Sequence, residues 1–441
     1  MGSLKKALRI SLCITVAVTV FGWQSMATAK KTPEYQPVPL RLNAAQIILD
    51  QQMVGNSYSI DSVAVNDGYS NTYTLKTDVG NVQATSDYQL TRKIQEIRAL
   101  RTLEEMSRAG VFGDAMKEGV LAPIYGAKAL VTSPIETTTG AVKGIGRWMG
   151  NIGRAVASDD PHQEGALSAA VGWAGTKRAF ALELGVDPYT DWEPLQKALS
   201  SVARAAFAGG ITVGAAMGAV TGDGAVGTVT SVTSLSGELN DILRDNPPEM
   251  LTRINREKLL GMGISETVVD PFLLNYNYTP MEKLLLIEAL SRMDGAKGKE
   301  LFIAEAAAAP DKVMARYQQQ KAEMMANYHT RVEASDIVRV AGYTFLINRK
   351  GVLVGVFPID YLAWSAEVST IAGVIERTPE AKKRELWLEG SASPQSRKAL
   401  VDRGWMVKER VAMLTGKSLQ DQTASGAGMR ATTTAIGIVA P

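Results

Sequence analysis

The chain has 441 residues, with 47 basic and 45 acidic side chains, two histidines and a single cysteine, Cys13. This near-neutral balance excludes the strongly basic face that a nucleic-acid binder needs, and the cysteine count excludes disulfide staples and thiolate zinc sites. Such a length can bury a sizeable core; the unusual feature is 40 glycines, gathered mainly between residues 110 and 237.

Residues 1–29 read as a secretory signal peptide. Lys5, Lys6 and Arg9 precede an uncharged run that begins at Ile10, and Ala27-Thr28-Ala29 is a small-x-small cleavage signal. The apolar core is short for a span of about 20 residues. Cleavage there removes Cys13 and leaves 44 basic against 45 acidic side chains. The expected location is therefore the bacterial periplasm, either free or peripheral to a membrane.

Residues 30–110 open on a proline-rich leader. SIDSVAV and NTYTLKTD, separated by Asn66-Asp67-Gly68, then predict a hairpin over about 57–83. Ser86 and Gln89 form a capping box, and Leu90, Ile94, Ile97, Leu100, Leu103 and Met106 recur at steps of three and four, which predicts a helix over 87–110. Residues 111–237 form a helical region rich in glycine and alanine, followed by conventional helices over 238–334. In the latter, Thr279-Pro280-Met281-Glu282 supplies a cap, a first-turn proline and a capping glutamate. Pro310-Asp311 opens another helix.

From Ser335 the pattern changes to a second hairpin, over about 335–358. A helical stretch and a βαβ-like unit formed by ELWLEG, SPQSRKALVDRGW and MVKERVAML complete the 335–416 region. Residues 417–441 lack periodicity and read as a mobile tail. The expected class is α+β and predominantly helical, with antiparallel hairpins near both ends flanking the glycine-rich middle. One sheet joining the two ends is the simpler arrangement, and two separate sheets are the alternative. No fixed-period repeat marks a solenoid.

Several segments bear on chemistry. Thr139-Gly140, Gly144, Ile145 and Gly146 resemble the glycine turn of the short-chain dehydrogenases, and Tyr317 and Lys321 have the spacing of that family's catalytic pair. A dinucleotide turn must follow a buried apolar strand. Here LVTSPIETT precedes it, with Pro134 and Glu136 inside the segment, so neither a nicotinamide nor any other cofactor is expected. Gly416-Lys417-Ser418 ends like a P-loop, yet Val411 stands where its first glycine belongs.

DDPHQEG brings Asp159, Asp160, His162 and Glu164 within six residues. Asp160, His162 and Glu164 are the candidate metal ligands, and a carboxylate beside His162 is a candidate general base. The competing reading is a turn and N-cap ahead of the helix that begins near Glu164. In LGVDPYTDWEPLQ, Asp187-Pro188 and Glu193-Pro194 mark helix boundaries, while Tyr189 and Trp192 either line a pocket or pack.

Between Pro134 and Ser158, an apolar helical face carrying Trp148 lies opposite Lys143, Arg147 and Arg154, which suits a helix in a membrane interface or one packed on the protein's own core. Ala205 to Gly222 is eighteen uncharged residues, with Gly210, Gly214, Gly218 and Gly222 at every fourth position. That length permits a spanning helix, although alanine and glycine contribute little to insertion. A stripe of small residues also suits close helix contact, within the chain, with a second copy or with an envelope partner. The leading expectation is an exported structural or interaction module, membrane-peripheral through its glycine-rich helices. The alternatives are a periplasmic metal-dependent hydrolase centred on DDPHQEG and a carrier of lipid or another small apolar ligand.

Overall fold

A computed structural model describes residues 34–48, 50–112, 172–220, 235–379 and 382–411. Within Tyr35–Pro441, these residues form a mixed α+β structure in which helix predominates.

The first sheet contains β1 (Leu40–Asn43), β2 (Val54–Gly55), β3 (Tyr58–Ile60), β4 (Val63–Asn66), β5 (Asn71–Thr77) and β6 (Gly80–Thr85), with one helical turn, α1 (Asp50–Met53), between β1 and β2. SIDSVAV is two strands rather than one. The chain breaks at Asp61-Ser62, so β3 pairs with the far end of β5 and β4 with its near end, while β6 occupies the other edge. Tyr73 and Leu75 alternate inward from β5 and are fully buried.

Helix α2 (Asp87–Arg108) follows. Ser86 caps it by accepting the Gln89 N–H at 3.2 Å. Leu90, Ile94 and Ile97 pack on the sheet with Tyr73, Leu75 and Ala84. One turn further along, Ala99, Leu100, Leu103 and Met106 instead face α3 (Trp173–Glu183), α4 (Glu193–Gly209) and α5 (Val213–Val220).

The next helices are α6 (Gly237–Asp245), α7 (Pro248–Gly261), α8 (Glu266–Leu274), α9 (Pro280–Ser291), α10 (Lys299–Ala307) and α11 (Lys312–Arg331). Their boundaries follow local chemistry. Thr279 and Glu282 close a reciprocal capping box on α9, and Asp311 caps α11 by accepting the Met314 N–H at 2.8 Å. The main core joins Phe272, Leu286, Leu290, Phe302 and Met325 of these helices to Leu346 and Val354 of the second sheet.

That sheet has the order β13 (Trp405–Lys408), β11 (Arg384–Leu388), β9 (Leu353–Phe357), β8 (Tyr343–Asn348), β7 (Ala334–Val340). β7, β8 and β9 are antiparallel neighbours, whereas β9, β11 and β13 run parallel. Helices α12 (Ala366–Glu376) and α13 (Pro394–Asp402) lie between the parallel strands in sequence, and β10 (Tyr361–Leu362) pairs with β12 (Ser391–Ala392).

Among the described residues the two ends of the chain do not share a sheet, which corrects the simpler expectation. The junction between the two sheets is made by loops. The N–H groups of Asp360 and Tyr361 donate to the Tyr69 carbonyl at 3.0 and 3.2 Å, and that of Ala363 to Gly68 at 2.9 Å. Leu40 and Leu42 of β1 pack against Tyr361 and Ala363.

Candidate functional site

Asp159, Asp160, His162, Glu164, Trp148 and Gly222 lie outside the described residues. Among the described residues, no group of three or more histidine, cysteine or acidic side chains is placed to hold a metal ion. His329 has a structural partner, since its Nδ1 accepts the Ala334 N–H at 3.2 Å. Lys321 is fully buried, with Nζ 2.9 Å from Glu305 Oε1 and 5.1 Å from the Phe357 ring centroid. Glu305 Oε2 in turn accepts the Thr344 N–H at 2.7 Å. This pair ties α11 to α10 and β8, which accounts for Lys321 without a dehydrogenase.

The uncharged stretch that begins at Ala205 is not one helix. Gly210 adopts φ +62° at the C-terminus of α4, a left-handed cap that glycine takes without a Cβ clash. The chain then turns through 108° between α4 and Val213–Ala219. No single described helix is long and apolar enough to cross a membrane; the bent pair together has the necessary length and composition. Within α5, Ala216 and Met217 are buried while Gly214, Ala215, Gly218 and Ala219 are exposed. Among the described residues, a Cβ added at Gly214 or Gly218 meets no atom within 4 Å. Both glycines face outward from α5. With Phe207, Ala208 and Gly209 they form an outward elbow that lacks charge.

A different constellation lies where α2, α11 and the second sheet meet. Open α/β sheets bind ligands outside the carboxyl ends of their parallel strands, and Asp360 and Glu389 follow two such ends, those of β9 and β11. Gly390 lets the two loops touch, because a Cβ there would sit 1.8 Å from the Asp360 carbonyl oxygen. The carboxylate oxygens of Asp360 accept the N–H groups of Asn71 at 2.8 Å and Asp87 at 3.1 Å. Asp87 accepts the Tyr73 hydroxyl at 2.5 Å and the Asn71 amide at 2.9 Å. Burial, followed by the neighbouring Asp87 charge, raises the Asp360 carboxyl well above the usual range, and burial also raises Asp87.

Glu323 of α11 and Glu389 extend this cluster, and both are half-buried. Burial pushes Glu323 up to about 7 despite Arg292 and Arg92, and burial with the charges of Asp87 and Glu323 pushes Glu389 up to about 8. Gln319 of α11 is fully buried and donates to Glu323 at 2.6 Å, while its own amide oxygen has no hydrogen-bond partner among the described residues. The hydroxyl of Tyr88, a residue only 3% exposed, is likewise unpartnered.

Farther along α2 the polar seam becomes a set of ion pairs. Arg92 contacts Glu282 at 3.2 Å and Asp187 at 3.5 Å, and Arg316 contacts the same Glu282 oxygen at 3.2 Å. Asp187 also accepts the Thr279 hydroxyl at 2.6 Å and the Tyr189 N–H at 2.8 Å. Burial raises its carboxyl to about 6 even beside Arg92. Asp187 is therefore a buried ionic hub as well as a helix-boundary residue, and Tyr189 packs in the core with Leu243, Leu251 and Leu284.

Sequence reading missed the seam because its members are separated by up to 302 positions, from Asp87 to Glu389. One local signal existed. On α2 and α11, phenol, charged and amide side chains occupy the helical positions where a buried face carries apolar ones: Tyr88 and Arg92 on one, Arg316, Gln319 and Glu323 on the other. No protein family matches the chain, and no curated protein or solved structure matches it either.

Proposed function

We propose that this is an exported envelope protein that acts as a structural or interaction module and rests on the membrane surface through the elbow of α4 and α5. The observation that carries the reading is the outward face from Phe207 to Ala219: Phe207 is 48% exposed, and Gly214, Ala215, Gly218 and Ala219 point away from the core. A sharp bend whose outward face from Phe207 to Ala219 carries no charge suits shallow insertion at the headgroup boundary, where a small apolar surface gives reversible attachment. The signal-peptide pattern of residues 1–29 supports delivery to that compartment.

Flotation of the mature chain with vesicles of phosphatidylethanolamine and phosphatidylglycerol tests this. The chain is expected to float with the vesicles in high salt, because the contact is apolar, and Gly214→Asp with Gly218→Asp is expected to abolish flotation without unfolding the protein. A wild-type chain that stays in the soluble layer overturns the membrane contact.

A further inference from the structure

The start of α3 lies against the last turns of α4, and two contacts define how. The guanidinium carbon of Arg204 sits over the Trp173 indole, 4.6 Å from the ring centroid, and a Cβ on Gly172 would lie 3.1 Å from the Phe207 ring. Gly172 precedes α3 at φ +76°, a left-handed backbone that suits glycine, so one residue provides both the turn into α3 and the room for Phe207. Arg204 and Phe207 are three residues apart on α4 and share one side of it. Trp173, Arg204 and Phe207 thereby form one surface, in which Trp173 is half-buried while Arg204 and Phe207 are exposed.

The charge near this surface has one sign. Residues 172–182 and 194–220 contain Lys177, Arg178, Lys197 and Arg204 and no aspartate or glutamate. Lys197 pairs with Glu193 at the other end of α4, and Arg178 is buried and donates to the Arg244 carbonyl at 2.8 Å. Arg204 has no ion pair among the described residues. A guanidinium held over an aromatic ring keeps the N–H donors along its edge, and those donors match the oxygens of a phosphate.

We propose that Arg204, stacked on Trp173, binds the phosphate of an anionic phospholipid headgroup, with phosphatidylglycerol as the lipid class, a role that depends on the membrane contact proposed above. Three helical residues separate Arg204 from Phe207 by about 4.5 Å along the α4 axis. With Phe207 seated just below the headgroups, the guanidinium reaches their level, where tryptophan side chains also settle. The apolar elbow supplies attachment to any bilayer, and Arg204 supplies the preference for a negative one. A zwitterionic headgroup carries its own cation beside the phosphate, so the guanidinium gains less from it.

The test is partitioning of the full mature chain onto vesicles of phosphatidylcholine alone and of an equimolar mixture with phosphatidylglycerol. In low salt the mixture is expected to bind about fivefold more tightly, the ratio given by about 1 kcal/mol for one cation at an anionic surface. High salt should remove that difference and leave binding to both vesicles. Arg204→Gln should bind the two vesicles equally, with its affinity for phosphatidylcholine unchanged, whereas Lys197→Gln should keep the preference. Equal wild-type binding to both vesicles in low salt overturns the headgroup site and leaves the membrane contact standing, as does a preference that survives Arg204→Gln. Absence of binding to either vesicle overturns both.

Discussion

Helix α2 meets its neighbours in two different ways along its length. Its C-terminal half presents Ala99, Leu100, Leu103 and Met106 to the alanine-rich faces of α3 and α4, a contact made by shape and apolar area. Its N-terminal half adds to its apolar sheet face a polar one, Asp87, Tyr88 and Arg92, directed at α9, α11 and the loops of the second sheet. The apolar half tolerates loss of any single contact in proportion to the volume removed. The polar half is a set of mutual dependencies, in which removing one charge strands another in a medium that does not solvate it.

The largest expected effect tests that dependency. Glu282 is 1% exposed and holds both Arg92 and Arg316. Glu282→Ala is expected to cost about 3–5 kcal/mol by denaturant unfolding. Arg92→Leu should then cost less in that background than in the wild type, because its charge is already stranded. Leu103→Ala, in the apolar half, is expected to cost about 3 kcal/mol, independently of Arg92. Equal coupling in both halves would remove the distinction.

A smaller effect follows from pH. Glu323 and Glu389 have folded-state values of about 7 and 8, raised by burial above the ordinary glutamate value of 4.5. The folded chain therefore holds protons that the unfolded chain releases, and stability falls as pH rises from the unfolded value through the folded ones. The thermal midpoint is expected to be higher near pH 5 than at pH 8.5. Glu389→Gln should flatten that slope and recover on the order of 2 kcal/mol at the alkaline end. A midpoint that rises toward pH 8.5 contradicts the burial of these carboxyls.

The smallest effect has the opposite sign and concerns the elbow. Because a Cβ at Gly214 or Gly218 meets no atom within 4 Å among the described residues, Gly214→Ala and Gly218→Ala are each expected to stabilise α5 by about 0.5–1 kcal/mol through helix propensity. Destabilisation by either would mean that this face is closed against a neighbour, and it would move the elbow to the tightly packed side of the comparison.

The sequence by itself determined what is local. The Ser86, Thr279 and Asp311 caps, the apolar stripe of α2 and the change to strand patterning near residue 335 all depend on neighbours a few residues apart, and hydrogen-bond geometry or side-chain periodicity records them directly. The four-residue glycine spacing was equally visible, but spacing alone does not reveal that Gly210 takes a left-handed backbone and ends the helix it sits on. Only the tertiary structure decided how the two sheets are joined and where the charged residues converge. Asp87, Glu323, Asp360 and Glu389 look like ordinary solvated acids in sequence, because a carboxyl group shows its burial and its neighbours only after distant segments pack around it.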